Sequence, residues 1–395
     1  MKKLLAILLC YLPLALYCQT NPEVYLMDIK KVGDSVVFLS PINISNNEGY
    51  DNQPSFFDNE HLLFSSTKEG QTDIKKYEIK NGKSSWLSDT QNGSEYSPFR
   101  ILGTDDISAI RLDKNGTQLL YRYSLSKTEP EILLKDLKVG YHLWFNPHIL
   151  ITSVLTEKGM DLLVTNFKDN SNYTVQKNVG RSLQRIPNTN LISYISKEDP
   201  LGIIKSLDPI TGATKEIIRT YLMKDDVCWL SDGSLFTGFG NKLFSYHPKK
   251  DKDWKLVHIF EGTEINIISR LAVNSNGTQL AMVADISPEI VVQKLIEAFN
   301  SRDVNGFLDT FSEDANVYGY GGLLLYEGKE MIKNGFTSYF DATPDLNYSI
   351  IEKMVLDNKV YHEALIIANE ETVETTYFYT VVNGKIASLT YYVEP

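Results

Sequence analysis

The sequence predicts two domains: an all-β six-bladed propeller, then an α+β cone of three helices on a curved antiparallel sheet. Three observations carry this. From Tyr50 to Val283, short apolar or alternating runs recur in groups of four between Gly, Asn, Asp and Lys clusters. Runs of that length read as strands, and four strands in roughly 40–45 residues have the size of a propeller blade. At Ser287 the hydrophobic period becomes helical, and the charge changes with it. From Ile286 onward there are 7 Lys+Arg against 17 Asp+Glu, whereas the chain before it holds 32 against 33.

The length of 395 residues is more than one ordinary core sustains. A hydrophobic content of 43% and a charged content of 23% are those of a globular chain, and the 23 Tyr suit half-buried strand positions. The net charge of -11, with no basic run interleaved with aromatics, argues against a nucleic-acid partner. Lys249-Lys250-Asp251-Lys252 reads as a solvated turn between strands.

In chain order, Met1-Lys2-Lys3 is a basic start and Leu4–Tyr17 an apolar stretch broken by Pro13, which together read as a signal peptide over 1–18. Ala15-Leu16-Tyr17-Cys18 is a poor lipobox because Tyr17 stands where a small residue belongs, so a soluble periplasmic or extracellular protein is favoured over a lipoprotein. No other segment reaches the 18 consecutive apolar residues a membrane span needs. Once that segment is removed, Cys228 is the one cysteine left, a buried structural thiol that can form no internal disulfide.

Val24–Ile29 and Ser35–Leu39 are two strands lacking the rest of a blade. Five four-strand units follow, beginning near Tyr50, Tyr96, Tyr141, Ser182 and Val227. Ile267–Val273 and Gln279–Val283 then give half a unit, and the two leading strands supply what it lacks. A blade shared between the chain ends would close the ring and leave no open edge. The repeated Asn115-Gly116-Thr117-Gln118-Leu119 and Asn276-Gly277-Thr278-Gln279-Leu280 reflect a favoured hairpin turn rather than equivalent positions. Asp51-Asn52 and Asp225-Asp226 read as turn residues rather than calcium ligands.

Beyond the boundary at 285/286, Ser287 and Pro288 suit the cap and first position of a helix whose apolar stripe is Ile290, Val291, Leu295, Ile296 and Phe299. A short helix over Phe307–Phe311, a strand over Ala315–Tyr318 and a helix over Lys329–Tyr339 follow. Strands at Leu346–Leu356, Lys359–Ala368, Thr372–Val382 and Ile386–Val393 complete the cone, the last two joined by an Asn383-Gly384 turn.

Two resemblances follow. Tyr50-Asp51-Asn52-Gln53-Pro54-Ser55-Phe56, Leu62-Leu63-Phe64-Ser65-Ser66 and Asp73-Ile74 resemble the propeller repeats of TolB and its relatives, over residues 19–285. Ala298-Phe299-Asn300-Ser301-Arg302-Asp303, Phe311–Val317, Glu327-Gly328-Lys329-Glu330 and Pro344-Asp345-Leu346 resemble the SnoaL-like polyketide cyclases and the nuclear transport factor 2-like superfamily, which includes ketosteroid isomerases. That superfamily holds enzymes and binding modules alike, so the fold alone assigns no activity.

Isomerase chemistry needs a carboxylate base and a Tyr donor. The resemblance places Gly319 at the base position and Leu295 at the Tyr position, and neither can do the work. His362 and Glu363 are the remaining catalytic candidates, and as neighbours on one strand they face opposite ways. Tyr318, Tyr320, Tyr377 and Tyr379 are the candidates for lining a ligand pocket. The His362-Glu363 pair has no second His for a zinc site, no Gly-x-Ser-x-Gly occurs, and the six His show no metal-ligand spacing, so no metal or cofactor is expected.

The expected protein is an exported, non-enzymatic binding protein. Its propeller would recognise a protein, peptide or glycan, and its cone would bind a small apolar ligand or form a homodimer through its sheet. The alternative is an enzyme of the cyclase or isomerase class with the propeller as docking module. It requires an apolar cone pocket holding one isolated carboxylate or His.

Overall fold

The computed structural model describes residues 21–393 except 34, 48, 92, 125–128 and 262. The expected signal segment at 1–18, with Cys10 and Cys18, lies outside the described residues.

Up to Ile286 the described chain is all-β apart from a 3-10 turn at Tyr221–Met223. Five sheets have four strands each in meander order, and their first strands are Asn52–Phe56, Gly93–Arg100, Val139–Asn146, Val179–Arg185 and Cys228–Trp229. A further sheet draws on both ends of the region, in the order Ser35–Phe38, Pro22–Val32, Gln279–Ile286, Ile265–Val273. Pro22–Val32 runs antiparallel to Gln279–Ile286, with Val24 opposite Val283 and Leu26 opposite Ala281. Ile42–Asn43 adds a short strand to Pro22–Val32 that the sequence had not suggested.

The alternation of each strand sends one set of side chains into the gap on either side of its sheet. Six apolar clusters fill these gaps, each joining two consecutive sheets. Leu62 and Phe64 pack with Val24 and Val283, and Leu63 and Ile74 with Ile107 and Ala109. Ile110 and Leu120 pack with Trp144 and Leu150, and Ile151 and Val164 with Leu183 and Tyr194. Ile195 and Ile204 pack with Trp229 and Leu235, and Phe236 and Leu243 with Ile268 and Met282. The last pair returns to the sheet shared by the chain ends. Two tryptophans fix successive sheets in the same way: Trp144 Nε1 donates to Ser108 Oγ at 2.9 Å and Trp229 Nε1 to Ser193 Oγ at 2.8 Å.

Asp51 and Asp226 depart from the turn role expected of them. Asp51 is fully buried, and its carboxylate accepts from Asn47 Nδ2 at 3.1 Å. Asp226 accepts from Leu271 N at 3.0 Å and pairs with Arg270. Cys228 is buried as expected, and desolvation pushes its thiol well up.

After Ile286 the chain enters α1 (Pro288–Ser301), α2 (Val304–Asp309) and α3 (Lys329–Ala342). Asp303 caps α2 by accepting from Asn305 N and Gly306 N, both at 3.1 Å, so this helix begins three residues before the expected start at Phe307. Six strands form one sheet in the order Leu324–Glu327, Phe311–Tyr318, Lys385–Val393, Glu371–Val382, Lys359–Ala368, Asn347–Leu356. Leu324–Glu327 was not anticipated, because four residues carry too little periodicity to be read. One core joins the buried faces of α1, α2 and α3 to the concave side of this sheet.

Candidate functional site

The cone's concave face holds the candidate site. On Lys359–Ala368, alternation turns Val360, His362, Ala364 and Ile366 inward. On Glu371–Val382 it turns Val373, Thr375, Tyr377 and Tyr379 the same way, with Leu389 and Tyr391 beside them on the neighbouring strand. α3 covers this surface with Phe336, Tyr339 and Phe340, which share one face because they lie three and four residues apart.

Between helix and sheet remains a cavity of about 310 Å³. Its wall includes Leu295, Phe299, Phe336, Ile366, Val373 and Leu389, together with the phenols of Tyr326, Tyr339, Tyr348, Tyr377, Tyr379 and Tyr391. Among the described residues lining it, none carries a carboxylate, ammonium, guanidinium or imidazole group. Burial holds the phenols of Tyr348, Tyr377 and Tyr379 well above their ordinary range, so at neutral pH they are uncharged hydrogen-bond donors.

His362 lies behind this wall. It is 1% exposed, its Nδ1 stands 3.1 Å from Tyr348 Oη, and Tyr348 Oη stands 3.3 Å from Tyr379 Oη. Its Nε2 is buried without a hydrogen-bond partner. Desolvation lowers its pKa to about 4, so the ring is neutral at pH 7, and it meets the cavity wall through its hydrogen bond to Tyr348 and its ring contact with Tyr379. Glu363 points to the other face of the sheet, where it is half-buried opposite Thr376 and Glu352. The two catalytic candidates therefore do not meet.

Of the four candidate lining tyrosines, Tyr377 and Tyr379 are in the wall and Tyr318 and Tyr320 are not. The strand Phe311–Tyr318 ends at Tyr318, and Gly321, with φ of 68°, turns the chain into a one-turn 3-10 helix. That turn leaves Tyr320 78% exposed against the edge of Tyr392. Leu295 is buried in the wall, and a side chain at Gly319 would meet Leu325. Tyr348, Tyr339 and Tyr391 escaped the sequence reading. The spacing of Phe336 and Tyr339 on α3, and of Tyr391 two residues after Leu389, was the available signal.

Among the solved structures that resemble the C-terminal part of the chain are the following three. A nuclear transport factor 2-like protein of unknown function from Cytophaga hutchinsonii is 22% identical, with 28% of this chain and 94% of that one covered and a TM-score of 0.25. A hypothetical protein with a ketosteroid isomerase-like fold from Catenulispora acidiphila is 16% identical, with 26% and 83% covered and a TM-score of 0.24. A second nuclear transport factor 2-like protein of unknown function, from Burkholderia xenovorans, is 16% identical, with 27% and 82% covered and a TM-score of 0.25. No curated protein matches the chain. Residues 292–389, which supply most of the cavity wall, match the SnoaL-like domain family.

Proposed function

We propose that the chain is an exported binding protein whose cone holds a small, neutral, largely apolar ligand. The observation that carries this reading is the cavity wall, which is aromatic and aliphatic with uncharged phenols and no ionic group. Such a surface gains from excluding water and offers hydrogen bonds without the cost of burying an unpaired charge. It has no wall carboxylate to remove a proton, and its nearest imidazole is shielded by Tyr348. The cyclase or isomerase reading would place catalysis on His362, acting through Tyr348.

The all-β region is read as a six-bladed, TolB-like propeller. The six intersheet cores that return to their starting sheet support this, as does the strand pair drawn from both ends of the region. Its face is assigned to a protein, peptide or glycan. Export rests on the sequence of residues 1–18. The outer face of the cone's sheet is assigned to a second copy of the chain, because Leu365, Ile367 and Phe378 expose a third or more of their surface there.

The test of the cavity is titration with N-phenyl-1-naphthylamine, a neutral apolar fluorophore. Saturable enhancement is expected for the wild type, with loss in Val373→Trp, which fills the cavity. No saturable signal, or an unchanged signal in the filled variant, would overturn the binding reading. Turnover of a ketone substrate that is lost in His362→Ala would favour the enzyme instead.

A further inference from the structure

A second cavity, of about 90 Å³, lies beside the strands Val179–Arg185 and Ile265–Val273 of the all-β region. Its wall carries the charged side chains of Arg181, Lys224, Asp225, Asp226 and Arg270. Both carboxylates are already engaged. Asp225 Oδ2 accepts from Lys197 Nζ at 2.8 Å, and the carboxylate rests on Gly180, where a Cβ would lie 2.0 Å from Oδ1. Asp226 Oδ1 accepts from Leu271 N at 3.0 Å, and Oδ2 accepts from Arg270 Nη1 at 3.4 Å.

The cations are not matched in the same way. Arg181 Nε stands 3.8 Å from Asp226 Oδ2, and the guanidinium otherwise donates to the backbone carbonyls of Ser269, at 2.7 Å, and Asp225, at 3.3 Å. Lys224 Nζ lies 5.1 Å from the centre of the Phe239 ring and has no carboxylate within 4 Å among the described residues. Burial and then the like charge of Arg181 lower its pKa. Among the described residues, the carboxylates paired with Arg181, Lys197 and Arg270 are Asp225 and Asp226, and Lys224 pairs with none, in a chain whose overall charge is -11. Two surplus positive charges in a partly desolvated setting are costly without a counterion. The cavity has room for about three waters at roughly 30 Å³ each, which suits the head of a carboxylate or a tetrahedral oxyanion.

We infer that this cavity is a binding site for a small oxyanion, a carboxylate or a phosphate, held by Lys224 and Arg181. The site is independent of the cone and of what the cone binds. The test is calorimetric titration of the whole protein with inorganic phosphate and, separately, with acetate, at constant ionic strength in chloride. Saturable binding of one of them is expected, and which one binds identifies the source chemistry. Lys224→Gln should weaken that binding roughly tenfold, the share of one charge-assisted hydrogen bond. Lys224→Arg, which keeps the charge, should restore it to within a few-fold of wild type, with tryptophan fluorescence reporting that both variants fold. Binding of neither anion above chloride, an unchanged affinity in Lys224→Gln, or loss in the folded Lys224→Arg would each overturn the assignment.

Discussion

Glu95 gives the all-β region a pH dependence that can be worked from its surroundings. It is fully buried on Gly93–Arg100, accepts from Tyr123 Oη at 2.9 Å and from Ser88 Oγ at 3.4 Å, and lies beside Asp73. Desolvation, with Asp73 adding to it, pushes its pKa from 4.5 to about 8. In the unfolded chain it ionises near 4.5, so between those two values the folded state holds the extra proton. Stability therefore falls as pH rises through that window and levels off above it. Glu23, pushed up by burial to about 7, acts in the same direction, whereas the buried His142, lowered to about 3, acts only below pH 6.5. The range from pH 6.5 to 8.5 thus isolates the carboxyls. At about 1.4 kcal/mol per pH unit, Glu95 accounts for roughly 2 kcal/mol of lost stability between pH 6.5 and 8. Glu95→Gln, which has the same shape and no charge, should become more stable than wild type by about 2 kcal/mol more at pH 8.5 than at pH 6.5. Urea unfolding followed by tryptophan fluorescence measures this selectively, because Trp86, Trp144, Trp229 and Trp254 all lie in this region. A gap between variant and wild type that does not change with pH would refute the reasoning.

Further outcomes are expected elsewhere. Asp303→Ala should destabilise the cone by about 1 kcal/mol through loss of the α2 cap, read as a lower urea midpoint by far-UV circular dichroism. Tyr379→Phe, which removes the Tyr348 hydrogen bond from a buried network, should cost about 1 kcal/mol of stability, read as a lower urea midpoint. Gly335→Ala places a Cβ 2.4 Å from the Tyr326 ring, so it should drive that ring into the cavity and lower the fluorophore's affinity. The sheet-face assignment predicts a dimer for the wild type and a monomer for Phe378→Glu in light scattering, and a wild-type monomer would refute it.

Much of the fold was legible because local chemistry and tertiary structure agree. Strands at Asn52–Phe56 and His61–Lys68 follow from alternation, and the boundary before α1 follows from Ser287-Pro288 and the change of period. The sheet shared by Pro22–Val32 and Gln279–Ile286 was legible for a different reason: half a sheet at each end of the region leaves edges that the other end can cover. Where the two disagree, local signals were overruled. Asp226 looks like a turn residue in Lys224-Asp225-Asp226, yet it is a partly buried partner of Arg270, because the residue it answers is 44 positions away. Tyr320 has the same chemistry as Tyr377, but a left-handed glycine turn takes one to solvent while the pleat takes the other to the cavity.

The sequence by itself determined most of the strands and helices, where the period changes and which residue types were available for chemistry, since all of these depend on neighbours within a few positions. Only the tertiary structure decided which side chains share a space. It set Tyr348 between His362 and the cavity, and it left Lys224 beside Arg181 without a carboxylate of its own among the described residues. Burial and the field of distant charges act through space, and no spacing along the chain encodes them.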